Sequence, residues 1–317
     1  MEESFLKKYQ PKKYNEYNNF KDTINMMELL LTVHKLNFLF VGNQGGGKTT
    51  FIKSTLQEYY NSIPNNNILY INNLSDQGIQ YYRTEVRTFC KTKSLVKGKR
   101  KVIVLDDMDL ISEQSQQVFR NYMDNYSHNV LFLTSCTNKQ KILDSIQSRL
   151  TILKLETIKK KDLVKIFDNI KNNENLSIDE QSKEFIIMTS NNTIRLLINI
   201  MEKIKLLEFP INIHISKKLC TNISFYSLER FIKKLQKGNL KKSIDIIYNL
   251  SDKGYSVLDI LSNIFAFIKY TNSINEKKKY EIIKLICKYT TIFYTVHEDN
   301  IELALFVNEL NKKLTDI

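Results

Sequence analysis

The chain has 317 residues, a length that suits two or three domains, and 42% of them are hydrophobic, enough to fold. Lys and Arg outnumber Asp and Glu by 47 to 34, and the resulting charge of +13 fits either a polyanionic partner such as nucleic acid or a lysine-rich solvated surface. No apolar run approaches the ~18 residues of a membrane span, MEESFLKKYQ is too polar for a signal peptide, and four scattered cysteines without a CxxC pair suggest neither a zinc site nor disulfides. A soluble, intracellular protein is expected.

The first half alternates short apolar runs with segments of helical spacing. LNFLFVG (36–42), NILYINN (67–73), KVIVLDD (101–107), NVLFLTS (129–135) and TILKLE (151–156) read as buried strands. Between them, TTFIKSTLQEYYNSI, GIQYYRTEVRTFCKT and EQSQQVFRNYMDNY space their apolar residues by three and four. Such alternation predicts a parallel sheet covered by helices. From residue 157 helical periodicity takes over. Three helices close before Pro210, INIHISKKLCTN (211–222) reads as a connection, and about five amphipathic helices follow from Ser224. The expected organisation is an α/β domain at 1–156, a three-helix lid at 157–215 and an all-α domain at 216–317.

Gly42-Asn43-Gln44-Gly45-Gly46-Gly47-Lys48-Thr49 fits GxxxxGK[ST] and lies between a predicted strand and a predicted helix, the context this phosphate-binding motif needs. Glycines let backbone amides curl round a β-phosphate, Lys48 reaches the β/γ oxygens, and Thr49, followed by Thr50, holds Mg²⁺. A second acidic strand end is then required, and VIVLDDMD supplies it. Asp106 is placed to hold the metal, directly or through water, and Asp107 to orient or deprotonate an attacking water. His34, His128, His214 and His297 have no spacing that suggests a site.

Five strands, this loop, the acidic strand end and the helical second half together resemble the small subunits of the replication factor C clamp loaders, AAA+ ATPases. KKYQPKK (7–13) is similar to that family's EKYRPK, NNLSDQGI (72–79) to NASDERGI, and KILDSIQSRL (141–150) to KIIEPIQSRC. NYMDNYSHNVLFLTSCTN matches the family's central helix and following strand, and KGNLKKSIDIIYNL with DKGYSVLDIL matches the collar that forms its ring. The resemblance spans essentially the whole chain.

It implies an AAA+ P-loop fold with a helical lid and collar, and ATP with Mg²⁺ as cofactors. Implied partners are the other subunits of a hetero-pentamer, a sliding clamp and primer-template DNA, at a nuclear or cytoplasmic site of DNA replication and without a membrane. ATP hydrolysis, stimulated by DNA and clamp, would drive clamp opening and loading. In the family's Ser-Arg-Cys motif the arginine enters the neighbouring subunit's ATP site, and it corresponds to Arg149 here. The lid's sensor arginine corresponds to Arg195, and the polar sensor after the fourth strand to Thr137, where the family has Asn, with Asn138 adjacent. Only seven of the 47 basic residues are Arg, so an arginine is less readily filler. Arg83, Arg87 one turn later, and Arg120 on the central helix are the DNA-contact candidates, with a solvated surface as the alternative.

The departures matter too. Asp107 stands where the family has Glu, one methylene longer, so hydrolysis is expected to be slow. Gln10 replaces the arginine of the YRP segment, and a one-residue deletion removes the arginine of SDERG. These changes motivate a second reading, a non-hydrolysing architectural subunit that binds nucleotide and lends Arg149. A third, an initiator or branch-migration helicase, would call for a C-terminal winged helix that the last hundred residues do not suggest.

Overall fold

In each central strand alternate residues enter different cores. Phe38, Phe40, Val102, Val104, Leu131 and Leu133 meet Phe51, Ile52 and Leu56 of one covering helix, whereas Leu39, Ile103, Leu105, Val130 and Phe132 meet Val86 and Phe119 on the other side. Burial on both faces explains why these strands read as continuous apolar runs rather than as polar-apolar alternation. The computed structural model describes residues 3–17, 20–32, 36–61, 64–71, 78–207, 209–220, 223–271, 273–295 and 300–315.

The strands are β1 (Phe38–Val41), β2 (Ile68–Ile71), β3 (Lys101–Leu105), β4 (Val130–Cys136) and β5 (Thr151–Lys154). They form one parallel sheet in the order β2-β3-β4-β1-β5, with Phe38 opposite Leu133 and Thr151. The connection from β1 leads to β2 at one edge and that from β4 leads to β5 at the other. These two neighbours therefore open a crevice outside their carboxyl ends, where doubly wound sheets bind ligands. All five expected strands are present; β1, β2, β3 and β5 are shorter than their apolar runs, and β4 starts one residue later and ends one residue later, at Cys136.

The helix after β1 runs Lys48–Tyr60, and the central helix runs Glu113–Asn125 with Ser112 accepting the Ser115 N–H at its start. Between β2 and β3 a continuous helical stretch comprises Ile79–Tyr81, a π-helical segment Tyr82–Val86, and Arg87–Lys91. INIHISKKLCTN proves not to be a mere connection. Asn212 caps a helix Ile213–Leu219 by accepting the Ile215 N–H at 3.1 Å, and seven residues are too few for periodicity to announce it. A helix Lys21–Thr32 also precedes β1.

Compactness divides the chain into Met1–Glu174 with Ser190–Glu202, and Asn175–Thr189 with Lys203–Ile317. The division passes through the segment read as a lid. Helix Lys160–Asn173 and most of Ile194–Lys205 belong to the first unit, and Glu180–Thr189 to the second. In the first unit the N-terminal segment is tied down by polar contacts: Glu174 accepts Lys8 Nζ and the Tyr9 hydroxyl, each at 2.6 Å, and the Tyr14 hydroxyl donates to Thr55 Oγ1 at 2.9 Å. In the second, helices Phe225–Gln236, Leu240–Ser251, Val257–Tyr270, Glu276–Thr295 and Asn300–Thr315 enclose a core around Phe231, Ile264 and Phe306. No described helix is long and apolar enough to cross a membrane.

Candidate active site

After Val41 the chain turns at the sheet's carboxyl edge and enters the helix Lys48–Tyr60. Two glycines are demanded by geometry. Gly45 has φ +67, and a Cβ there would lie 2.5 Å from Thr193 Cγ2; Gly47 has φ +93 at the helix N-cap. The first amides of the helix are thereby left for an anion. Lys48 is buried, and its ammonium donates to the carbonyls of Gly42 at 3.0 Å and Asn43 at 3.2 Å, which draws the charge over the loop. Asn43 and Gln44 are exposed on the loop, the Gly46 N–H donates to Asn43 O, and Thr50 Oγ1 accepts Gln10 Nε2 at 3.2 Å.

Facing the loop is the end of β3. The Thr49 hydroxyl donates to Asp106 Oδ2 at 2.7 Å, and the hydroxyl of Ser135, on β4, donates to Asp106 Oδ1. Ser135 Oγ in turn accepts the Asp107 N–H at 2.9 Å. Asp107 has φ 53 and ψ 52, a left-handed conformation that costs a residue with a Cβ about 1–2 kcal/mol. One buried hydroxyl thus fixes the Asp106 carboxylate and satisfies the backbone of the strained neighbour. Burial and then the Asp106 carboxylate push the Asp107 carboxyl above the usual range, while Lys48 and Arg195 pull the other way.

A third carboxylate lies deeper. Asp109 is 8% exposed, and its Oδ2 accepts the Thr137 hydroxyl, the Thr137 N–H at 3.2 Å and the Asn138 N–H at 3.0 Å. Burial alone would raise this carboxyl; the Thr137 hydroxyl and the surrounding backbone N–H groups outweigh it, and the net shift is downward. Thr137 is therefore held by Asp109, and Asn138 Oδ1 is used by the Gln140 N–H. Arg195 stands second in helix Ile194–Lys205, two residues after the Thr193 that abuts Gly45, with its Cβ 3.6 Å from the position a Gly45 Cβ would take. It is exposed and within electrostatic reach of Asp107.

Arg149 lies elsewhere. Its guanidinium grips Asp124 of the central helix through Nε at 2.6 Å and Nη2 at 3.0 Å, and no described hydrogen bond links it to the phosphate loop of its own chain. Arg83 and Arg87 are exposed beside the buried stripe Tyr82, Val86 and Cys90, and both lie within electrostatic reach of the Tyr122 hydroxyl on the packed central helix. Arg120 is half-buried on that helix and donates through Nη2 to Asn121 Oδ1. Of the NNLSDQGI segment, residues 72–77 lie outside the described residues.

The pairing of Thr49 and Asp106 offers oxygen ligands alone, which suits Mg²⁺, a cation that takes one or two protein oxygens and completes its octahedron with phosphates and water. No described cluster of three or more His, Cys, Asp or Glu exists, and none is needed for such a site. Sequence reasoning missed Ser135, Asp109 and Asp124. A signal for Ser135 was present: Thr134 and Ser135 are two hydroxyls interrupting an otherwise apolar, fully buried strand. Asp109 and Asp124 had none, because their partners lie about 25 residues or more away.

Comparison with known proteins follows this division of the chain. The AAA family, ATPases associated with various cellular activities, matches residues 38–157, and the replication factor C C-terminal domain matches residues 227–292. The chain is 28% identical over 288 residues to the replication factor C small subunit of Methanococcus maripaludis, covering 90% of this chain and 91% of that protein. It is 27% identical over 285 residues to replication factor C subunit 4 of Saccharomyces cerevisiae, covering 89% and 87%. Among solved structures, a DNA polymerase III gamma subunit-related protein of Thermotoga maritima superposes with a TM-score of 0.57 at 11% identity, over 91% of this chain and 99% of that one. The RuvB Holliday junction branch migration motor of the same organism gives 0.54 at 16%, over 72% and 79%. At such identities these two likenesses establish the fold.

Proposed function

Because the chain belongs to the replication factor C small-subunit family of AAA ATPases, we propose that it is an ATP-hydrolysing subunit of a sliding-clamp loader acting in DNA replication. The observation that carries this reading is the polar chain Thr49–Asp106–Ser135–Asp107, which joins the phosphate loop to the ends of β3 and β4.

Mg²⁺, when bound, neutralises charge on the β- and γ-phosphates. Thr49 and Asp106 are the residues that would hold it, and the backbone of residues 42–47 with Lys48 would cradle the phosphates. Asp107 takes a proton from water at its carboxylate; its elevated basicity favours that role and its short side chain limits reach. Arg195 approaches from the helix that abuts Gly45 and places its charge on the γ-phosphoryl side of the same chain. Arg149, bonded to Asp124 and not to its own loop, is the group this subunit lends to a neighbour's site in the proposed hetero-pentamer. ATP and ADP then favour different ring arrangements, and the difference in binding opens or releases the clamp. Arg83, Arg87 and Arg120 are proposed to meet DNA phosphates without reading bases. The lid and collar boundaries at 157 and 216 are part of the same proposal.

Affinity purification through this chain, followed by ATPase assay with and without primed DNA, tests the reading. Recovery of a sliding clamp and further AAA+ subunits with DNA-stimulated hydrolysis is expected, and recovery of neither would overturn it. One observation favours the second reading, a nucleotide-binding but non-hydrolysing subunit: the Thr137 hydroxyl, at the sensor position, is committed to Asp109. Single-turnover hydrolysis in the assembled ring decides, since Asp107→Asn leaves the rate unchanged only if this site is silent.

A further inference from the structure

Arg149 is anchored on its own subunit by three contacts. Nε and Nη2 donate to the two carboxylate oxygens of Asp124, and Nη1 donates to the carbonyl of Ser145. A guanidinium carries five N–H groups in a rigid plane, so these contacts fix the orientation of that plane and leave N–H groups over. Both anchors are themselves held. Asp124 lies in the last turn of the central helix, Ser145 in the short helix Asp144–Gln147, and the buried side chain of Gln116 joins the two segments by donating to Lys141 O at 2.8 Å and accepting the Leu143 N–H at 2.9 Å.

The pair is not a core feature. Arg149 and Asp124 remain 34% and 44% exposed, and an exposed ion pair contributes little to folding. A fork-on-fork contact also fixes the plane of the guanidinium, whatever it adds to stability. It is well explained if the arginine must arrive at another molecule already oriented. We propose that Asp124 is the positioning residue of Arg149: it holds the guanidinium in one plane so that its remaining N–H groups can meet a γ-phosphoryl group bound by a neighbouring subunit. This inference rests on the reading of Arg149 as a finger acting in trans.

The test uses the complex isolated through this chain, with hydrolysis followed over a range of ATP concentrations. Asp124→Asn keeps the shape but replaces one accepting oxygen with an NH₂ that cannot accept from Arg149, and it is expected to lower kcat about tenfold with KM unchanged. Asp124→Glu restores the carboxylate and most of the rate. The melting temperature of the variants should match that of the original chain, as exposure predicts. With Lys48→Ala added on the same chain, Asp124→Asn should still lower the residual hydrolysis, because the loss occurs in the neighbour's site. A wild-type or faster rate for Asp124→Asn, alongside a collapse in Arg149→Ala, overturns the positioning role and leaves the finger standing. A wild-type rate for Arg149→Ala overturns the finger, and the positioning role falls with it.

Discussion

The two compact units bury different kinds of residue. Among the described residues the buried charged side chains Lys48, Lys101, Asp109 and Glu174 all lie in the first unit, whereas the buried polar residues of the second, among them Ser182, Ser216 and Ser243, are uncharged and lie beneath its aliphatic and aromatic core. The first also holds Asp107, a residue with a Cβ, in left-handed backbone at the end of a central strand. Buried charge and strain oppose folding unless partners offset them, and at Lys48, Asp107 and Asp109 they gather at the candidate site. The second unit also has a residue in left-handed backbone, Asn175, a type that tolerates it, but among the described residues it buries no charged side chain and reads as a packing module.

If that contrast is right, Asp107→Asn strikes function and spares the fold. Single-turnover hydrolysis in the complex should fall about 10²- to 10⁴-fold, the usual share of a general base, while urea unfolding stays close to that of the parent. Phe306→Ala should do the reverse. This ring is fully buried and packs edge-on against Tyr289 with centroids 5.4 Å apart. Its removal should cost about 3–5 kcal/mol in urea unfolding, with nucleotide affinity at low denaturant unchanged. A loss of nucleotide affinity in Phe306→Ala would break the contrast.

Ser135→Ala probes the boundary between the two kinds of residue. Losing the hydroxyl leaves the Asp107 N–H without its acceptor, a cost of about 1–3 kcal/mol in unfolding, and it releases Asp106 Oδ1. Nucleotide binding measured across Mg²⁺ concentrations should then require more metal. An unchanged Mg²⁺ requirement would reduce Ser135 to a fold residue.

The smallest expected effect is the pH dependence of stability, in which two nearby acids carry opposite signs. Asp109 has a depressed carboxyl, so its contribution is present above the unfolded-state value and is lost as pH falls through the folded one. Asp107 has a raised carboxyl, so the folded state holds that proton more tightly and Asp107 costs stability once pH exceeds the unfolded value. Urea melts through the acidic range should show Asp109→Asn with weaker acid destabilisation. Asp107→Asn should show stability that no longer declines as the carboxyl ionises.

Much of this was readable before any tertiary contact was known. The strand runs, the GxxxxGK[ST] loop and VIVLDDMD are local patterns, and local patterns place a loop at a sheet edge and an acid at a strand end. Helix Ile213–Leu219 escaped because its signal is a single cap, and the lid segment read as one body is shared between two compact units. Helical spacing shows that a face is apolar, not which core it enters.

The sequence by itself determined the element order, the phosphate loop and which residues could bear charge, because backbone propensity and spacing act over a few residues. Only the tertiary structure decided which of those charges meet. Ser135 reaches Asp106 and Asp107 because β3 and β4 are neighbours, Thr137 is taken by Asp109, and Arg149 is bonded to Asp124. Each is a hydrogen bond between residues distant in sequence, set by strand order and helix packing, and one chain's spacing carries no record of such a meeting.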